Sequence, residues 1–255
     1  MAALRGRVRR EDVAGRRHRA EGILAAAGEL IERWGYAKTT IDDIARAAGV
    51  AKGTIYLHWK TRDALFHALL RSERVAMLTQ IRAELAAYVE SGADADPTDF
   101  LRRLVAIVLG RPLLLALFLR DRDVLGRLVN RRAASAPAAD RSEYVQLLER
   151  FRSWGVIRTD RPTREQITMI NAAYAGVLAV NPLVPEHLRL SLEEQADVIA
   201  DMIARALAPS APVPPEVTAK AAAAGLDYLD QALELARRKL DDALGLTGPR
   251  GEDDL

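Results

Sequence analysis

Residues 39–60 read TTIDDIARAAGVAKGTIYLHWK, and this stretch predicts two short helices separated by a tight turn. Thr39 and Thr40 are candidate N-caps for the first helix, and the two aspartates that follow suit the positive end of a helix dipole. Apolar residues such as Ile41 and Ile44 recur at helical spacing. The pattern therefore predicts a short helix with one buried face.

The residues after this helix predict a turn and a second helix. Gly49 can adopt the left-handed conformation that ends a helix and reverses the chain. Val50 and Ile55 return apolar surface to the same small core, and small Ala45 lets a second helix cross close by. A second helix that begins near Ala51 completes a helix-turn-helix, whose second helix usually enters the major groove of DNA.

The outward face of this second helix carries groups that can bind DNA. Lysines can neutralise phosphates, and hydroxyls can donate hydrogen bonds to phosphate oxygens. Gly53 costs about 1 kcal/mol relative to alanine, which fits a place where the backbone approaches another backbone or base edges. A surface helix of an ordinary bundle is the alternative, but this combination of residues favours DNA binding. The outward residues are Lys52, Gly53, Thr54, Tyr56, His58 and Lys60.

The segment closely resembles the DNA-binding domain of TetR-family transcriptional regulators, which are bacterial. The resemblance rests on TTIDDIARAAGVAKGTIYLHWKTRDAL and the preceding ERWGYAKTT, and it covers residues 18–75. Leu57 and Trp59 depart from the family pattern, in which these positions are often Tyr and Phe, so one possible DNA contact is lost at Leu57. The family positions that commonly contact operator DNA correspond to Thr40, Lys52, Gly53, Thr54, Tyr56, His58 and Lys60.

Composition narrows the class of protein. The chain has 255 residues, 49% of them hydrophobic, so it can form two domains or one large one. It contains no cysteine, which excludes disulfides and thiolate metal sites. No apolar run approaches the roughly 20 residues that span a bilayer, and the N-terminal arginines precede no apolar signal core. We therefore expect a cytoplasmic protein without a membrane partner.

Positive charge is concentrated near the N-terminus. Residues 1–62 contain 13 Lys and Arg against 7 Asp and Glu, whereas residues 63–255 contain 24 against 28. The basic part coincides with the helix-turn-helix, as expected for a module that binds a polyanion.

The sequence predicts an all-α protein in four segments. Residues 1–17 are a disordered basic arm that adds phosphate contacts, and 18–62 form a three-helix helix-turn-helix domain. Residues 63–208 form a helical regulatory and dimerisation domain. Residues 209–255 form a proline-rich linker and an additional C-terminal helix.

Hydrophobic periodicity and helix-breaking residues predict where the individual helices begin and end. The first runs from about His18 to Trp34, a long helix begins near Thr61, and Pro112 should break the apolar stretch 100–119 in two. The remaining helices are predicted at about 121–134, 140–154, 163–180, 191–207 and 216–244.

The family resemblance implies a homodimer. In TetR-family proteins the last two helices of the regulatory domain build a four-helix dimer interface, and 163–180 and 191–207 fit that role by position and low charge. Two copies would read half-sites about 34–36 Å apart, or a multiple of that distance, on a palindromic operator of double-stranded DNA.

The helix at 216–244 departs from a minimal TetR-type chain, which would stop near residue 208. Its apolar residues alternate in steps of three and four, but over less than three heptads. Docking on its own subunit, docking across the dimer and recruitment of a partner all remain open.

No catalytic pattern is present, so we expect no enzyme. The four histidines are scattered, and the sequence has no phosphate-binding glycine loop and no nucleophile elbow. No cofactor is predicted. The resemblance implies a ligand-binding domain, and apolar pockets usually accept small, mostly hydrophobic compounds. The candidate ligand-binding residues, which ordinary core packing also explains, are Phe100, Phe118, Tyr144, Phe151, Trp154, Asn171 and Tyr174.

Together these patterns indicate a one-component transcriptional regulator, expected to be a repressor that a small effector releases from DNA. Two rivals remain: a DNA-binding repressor without an effector, and an adaptor that recruits a partner through its C-terminal helix.

Overall fold

A computed structural model describes residues 2–92, 96–119 and 138–246 of the chain. Regular structure in these ranges is helical throughout, so the predicted all-α class is confirmed. The helices, in chain order, are α1 (Ala2–Trp34), α2 (Ile41–Ala47), α3 (Lys52–His58), α4 (Arg62–Ser91), α5 (Pro97–Leu109), α6 (Pro112–Leu119), α7 (Ala138–Ser153), α8 (Thr163–Val180), α9 (Leu192–Leu207) and α10 (Pro215–Ala243). Two 3₁₀ turns, Asn181–Leu183 and Glu186–Leu188, lie between α8 and α9.

The chain divides into two compact units, and both are discontinuous in sequence. Unit 1 comprises Met1–Ala76, Pro112–Ala134 and Glu234–Leu255, and unit 2 comprises Met77–Arg111 and Ser135–Leu233. Helices α4 and α10 each contribute residues to both units. The predicted C-terminal segment 209–255 is divided at residue 234 between the two units.

Unit 1 is built around a core that α1 and α4 dominate. Ile23, Leu24 and Ile31 of α1 are buried, as are Leu65 and Phe66 of α4. Smaller apolar surfaces from other elements complete the core. These come from Ile44, Ala45, Ile55, Trp59, Leu113, Ala116, Leu240 and Leu244.

Unit 2 contains a layer in which α9 packs against α5 and against α8. Ile199 and Ile203 of α9 are buried, as are Val105 and Leu109 of α5. Gln166 of α8 is fully buried, and its side-chain amide donates a hydrogen bond of 2.6 Å to the carbonyl of Arg158.

Several predicted helix boundaries agree with the structure. The apolar stretch 100–119 is broken before Pro112, and α5 begins at Pro97 because the Asp96 carboxylate accepts a hydrogen bond from the Thr98 N–H. The helix predicted at 121–134 lies outside the described residues. No helix among the described residues is both long and apolar enough to cross a membrane.

The predicted start of the first helix is wrong. We expected a disordered arm over residues 1–17 and a helix from about His18, whereas α1 begins at Ala2. The segment lacks proline, and six of its 17 residues are arginine and three are alanine, both of which are good helix formers. Helix propensity therefore outweighs the low apolar content from which we predicted disorder.

Candidate nucleic-acid interface

The start of α2 is fixed by a capping box at Thr40. The N–H of Asp43 donates to the Thr40 hydroxyl at 3.2 Å, and the N–H of Thr40 donates to the Asp43 carboxylate at the same distance. Hydrogen bonds from Thr40 lower the pKa of Asp43 below its ordinary value. Thr39 is buried instead, and its hydroxyl donates to the carbonyl of Gly35 at 2.9 Å. Thr40 is therefore the N-cap, exposed at the edge of the motif.

The turn between α2 and α3 is a Schellman motif centred on Gly49. Gly49 has φ of +65°, the N–H of Val50 donates to the carbonyl of Ala45 at 3.0 Å, and the N–H of Gly49 donates to Arg46 at 3.3 Å. A side chain is strained at such a φ, so this turn needs glycine. The turn sets the direction in which α3 leaves.

Helix α3 has one buried face and one exposed face. Ile55 is 0% exposed in the core, whereas Tyr56 and Leu57 are 40% and 78% exposed. Lys52, Gly53 and Lys60 are exposed as predicted, while Thr54 and His58 are half-buried, and Lys60 lies beyond the end of the helix. The seven predicted DNA-contacting residues all belong to unit 1.

Gly53 faces open space. A Cβ built at this position would meet no atom within 4 Å. Close approach to another part of the protein therefore does not explain the glycine. The cost of about 1 kcal/mol relative to alanine is thus not offset by a contact within the protein.

Lys52 is engaged in an ion pair. Its Nζ lies 2.9 Å from Oδ2 of Asp42, and both side chains are largely exposed. The hydrogen bond to Asp42 raises the pKa of Lys52 above its ordinary value. The pair connects the first turns of α2 and α3, so a phosphate that binds Lys52 must compete with Asp42.

His58 lies near two arginines of α1 that the sequence analysis did not identify as site residues. Burial lowers the pKa of His58, and the positive charges of Arg19 and Arg16 lower it further. Both arginines are exposed. Arg16 lies in the basic arm for which phosphate contacts are predicted, whereas Arg19 lies in the helix predicted after it, and the three-residue spacing on one helix is the signal that links them.

Trp59 ends α3 and is buried rather than available to DNA. It is 3% exposed, and its Nε1–H donates to the carbonyl of Ala243 at 3.0 Å. Its ring centroid lies 5.2 Å from that of His58. Of the two positions at which the chain departs from the TetR-family pattern, Trp59 is therefore a structural contact, whereas Leu57 is exposed.

A polar cluster also positions the start of α2. The guanidinium of Arg62 lies 4.2 Å from the ring centroid of Tyr36 and donates to the carbonyl of Thr39 at 3.0 Å. The Tyr36 hydroxyl donates to Asp63, and burial raises the pKa of this tyrosine. The beginning of α4 is thus linked to the residues that lead into α2.

The predicted ligand residues are only partly brought together. Phe118 belongs to unit 1 and is exposed, whereas the other six belong to unit 2. Asn171 is exposed on α8, and Phe100 stacks on Tyr88 with ring centroids 4.4 Å apart. Trp154 packs under the ammonium of Lys220 at 4.1 Å.

Another aromatic grouping in unit 2 contains two of the predicted residues, Tyr144 and Tyr174, and one tyrosine that was not predicted. Tyr144 and Tyr228 have ring centroids 6.5 Å apart. Burial raises the pKa of Tyr144 to about 12, and it raises the pKa of Tyr174 as well, with Tyr144 acting in the same direction. Tyr228 lies in the C-terminal helix, which the sequence analysis did not connect with a ligand site. Phe151 is half-buried on α7.

A separate groove of about 550 Å³ in unit 2 contains none of the predicted ligand residues. Its polar lining consists of Gln80, Glu84, Arg103 and Arg111. Among the described residues, no group of three or more His, Asp or Glu side chains is placed to hold a metal ion.

Comparison with known proteins agrees with the geometry of unit 1. Residues 23–69 match the family described as bacterial regulatory proteins, tetR family. This range contains α2, the Gly49 turn and α3. The chain belongs to the TetR family.

Relatives of this TetR-family chain are helix-turn-helix regulators. It is 35% identical over 103 residues to the HTH-type transcriptional regulator TtgR of Pseudomonas putida, covering 40% of this chain and 47% of TtgR. It is 31% identical over 97 residues to the HTH-type transcriptional repressor Rv1474c of Mycobacterium tuberculosis, covering 37% and 50%. The chain thus spans about half the length of these curated relatives.

A solved structure is also similar to this TetR-family chain. It is a putative tetR family transcription regulator from Shewanella sp. PV-4, 20% identical, with a TM-score of 0.45. The match covers 70% of this chain and 93% of the Shewanella chain.

Proposed function

We propose that this protein is a homodimeric transcriptional repressor that binds a palindromic DNA operator and is released by a small hydrophobic effector. The observation that carries the proposal is the exposed face of α3. That face presents Lys52 and Tyr56, with Lys60 just beyond the end of the helix, while fully buried Ile55 anchors α3 in the core.

The dimensions and chemistry of α3 suit the major groove. Seven residues of helix extend about 10 Å, and the groove of B-DNA is about 12 Å wide. The helix has no acidic residue, and its glycine leaves room for close approach of its first turn. Hydroxyl and lysine groups beside that turn can bind phosphates and fix the helix in register.

Exposed apolar side chains on α8 and α9 support the homodimer, and on α9 they lie beside the exposed ion pair of Asp201 and Arg205. Val198 and Met202 are exposed one turn apart on α9, and Ala172 and Gly176 are exposed one turn apart on α8. Exposed apolar surface of this kind is typical of protein interfaces. A second copy of the same chain can cover this apolar surface. A dimer then presents two copies of α3 to one DNA duplex.

Repression and effector release rest on two further observations. Among the relatives, Rv1474c and KstR2 are named transcriptional repressors. The tyrosine grouping of Tyr144, Tyr174 and Tyr228 offers aromatic surface with few charges, which suits a mostly hydrophobic compound. Such a compound releases the operator only if it binds the conformation with low DNA affinity more tightly than the other.

The test of DNA binding begins by enriching duplexes from a random pool with the wild-type protein. We expect an enriched palindrome, and Tyr56→Ala should bind it about tenfold more weakly because a contact to phosphate or base is lost. Fluorescence anisotropy gives the affinity, and light scattering checks that the variant remains a dimer. Gln231→Ala is the control because that side chain is exposed on α10 and belongs to unit 2, whereas the motif belongs to unit 1.

Failure to enrich any duplex at low ionic strength would reject the proposal. The effector is tested separately with a thermal-shift screen of small hydrophobic compounds. A true effector raises the melting temperature and weakens binding to the enriched duplex together. DNA binding without any such compound would favour the rival, a repressor without an effector.

The adaptor function has less structural support. The apolar residues of α10 that would recruit a partner, such as Leu229, Leu233 and Leu240, are already buried in this chain.

A further inference from the structure

The end of the chain returns to the DNA-binding motif. We define the C-terminal segment as residues 234–246, which comprise the last turns of α10 and the turn that follows. All of these residues belong to unit 1, together with α2 and α3. Minimal TetR-type chains are expected to end before this segment, so its contacts with the motif need their own explanation.

The C-terminal segment is part of the unit 1 core. Leu240 and Leu244 are buried in the same cluster as Ile23, Ile55 and Phe66, and Leu246 packs against that cluster. Removal of these leucines would expose apolar surface beneath the motif. The segment is therefore a component of the domain rather than an appendage.

The segment ends in a Schellman motif that fixes its last residues. Gly245 has φ of +66°, the N–H of Leu246 donates to the carbonyl of Asp241 at 3.0 Å, and the N–H of Gly245 donates to Asp242 at 3.2 Å. The motif directs Leu246 back towards the core. The geometry thus defines where the last carbonyl groups of α10 point.

One of these carbonyls, that of Ala243, accepts a hydrogen bond from the residue that ends α3. The N–H of Trp59, the C-cap residue of α3, donates to Ile55 at 2.9 Å, and its Nε1–H donates to the carbonyl of Ala243 at 3.0 Å. The last carbonyls of a helix lack partners within the helix, so the indole satisfies one of them. A single side chain therefore joins the C-terminal ends of α3 and α10.

Two further contacts attach the segment to the helices that flank the motif. Arg17 of α1 forms an ion pair of 2.6 Å with Asp241, and Arg71 of α4 donates to the carbonyl of Lys239 at 3.1 Å. With Trp59, these contacts connect the segment to α1, α3 and α4. A link to all three restrains α3 against both of its supporting helices.

We propose that the C-terminal segment is an integral part of the DNA-binding domain and that Trp59 is a positioning residue, which holds α3 in its DNA-reading orientation through the carbonyl of Ala243. This inference rests on the proposed operator binding. The segment itself does not contact DNA in this proposal. It restricts the motion of α3 in the free protein, so less conformational freedom of α3 is lost when DNA binds.

The first test uses the full chain and the fluorescently labelled duplex enriched by the wild-type protein. Trp59→Phe keeps an aromatic ring but removes the N–H donor, and we expect threefold to tenfold weaker binding. Leu240→Gln with Leu244→Gln should detach the segment and weaken binding at least tenfold. Arg238→Gln is the control because it introduces the same side chain at an exposed position of the same helix, and it should bind like the wild type.

A double-mutant cycle separates positioning from a general loss of packing. When Trp59→Phe is added to the Leu240→Gln, Leu244→Gln protein, we expect no further loss beyond twofold, because the carbonyl partner has already gone. If the substitutions acted independently, the fold losses in DNA affinity that each causes alone would multiply in the combined variant. Hydrogen exchange provides a second readout: the amides of residues 52–58 should exchange faster in Trp59→Phe, while those of α8 and α9 do not change.

The outcomes distinguish this inference from the proposed function. A wild-type protein that enriches no duplex rejects operator binding itself. A wild-type protein that binds, together with Trp59→Phe that binds within twofold and shows unchanged exchange at 52–58, rejects the positioning role alone. If the leucine variant does not fold, circular dichroism will show it, and Trp59→Phe then decides the matter.

Discussion

The exposed face of α3 and the exposed face of α9 present opposite chemistry on helices of similar design. Each helix buries an isoleucine, Ile55 in α3 and Ile199 in α9. On the outside, α3 shows Lys52 and Tyr56 together with Leu57, whereas α9 shows Val198 and Met202 beside the ion pair of Asp201 and Arg205. The buried faces look alike because both contribute to cores. The exposed side chains of each helix, which its own unit does not cover, indicate the kind of partner that it binds.

The difference indicates two kinds of partner. A cationic, hydroxyl-bearing surface gains from binding a polyanion, and that gain falls as salt screens the charges. The exposed apolar side chains of α9 gain from exclusion of water, at roughly 25 cal/mol per Å² buried. We therefore expect α3 variants to change DNA binding and its salt dependence, and α9 variants to change oligomeric state.

The largest effect is expected at α9. Val198→Glu combined with Met202→Glu places like charges opposite each other across a two-fold interface, so the dimer should dissociate at micromolar concentrations. Affinity for the palindromic duplex should fall about a hundredfold or more, because the second half-site no longer binds at high effective concentration. Light scattering measures the mass, and anisotropy measures the affinity.

Gln231→Glu is the matched control for that experiment. It adds a glutamate at an exposed position of α10 in the same unit, and it should remain dimeric. A stable dimer in the double variant would show that the apolar face of α9 is not the interface and would remove the basis of the comparison.

Replacing either lysine of the motif should have a smaller effect on DNA affinity, and the effect should be larger for Lys60 than for Lys52. Lys60→Ala should weaken DNA binding and reduce the slope of log affinity against log salt by about one unit. Lys52→Ala should have less effect, because the free protein already pairs Lys52 with Asp42 at 2.9 Å. Titrations at four salt concentrations give both slopes. Equal slopes for the two variants would contradict a role for the Asp42 pair.

The smallest effect concerns His58 and pH. In the free protein, burial and the charges of Arg19 and Arg16 hold the pKa of His58 below its ordinary value. A bound phosphate would raise this pKa, so binding would take up a proton and affinity would rise as pH falls through the bound-state pKa. We expect a few-fold gain between pH 7.5 and about 6.

His58→Gln should remove this gain while it leaves the affinity at high pH nearly unchanged. The measurement is anisotropy at constant ionic strength. A wild-type affinity that is flat across the range would show that His58 does not contact phosphate.

Much of the motif was predictable from local sequence. The capping box at Thr40, the glycine turn at Gly49 and the break before Pro112 follow from rules that involve only neighbouring residues. The buried face of α3 followed from helical periodicity. Each signal lies within a few residues of the structure that it specifies, which is why one sequence was sufficient.

The ligand residues were the least predictable. Aromatic residues such as Phe100, Phe118 and Trp154 were selected by type, and the structure distributes them among different contacts. Tyr228 was missed, although it lies beside Tyr144. Residue type records the tendency to be buried but not the neighbour against which a ring is buried.

The sequence by itself determined most of the helices, although not the start of α1, as well as the turn that reverses the chain at Gly49 and the exposed polar residues of α3, because propensity and periodicity act over one or two helical turns. Only the tertiary structure decided that Trp59 is buried and that its indole binds a carbonyl 184 positions away. It likewise decided that Lys52 is paired and that two arginines of α1 lie near His58. Such contacts depend on how separate helices pack into one core, and no local pattern records that arrangement.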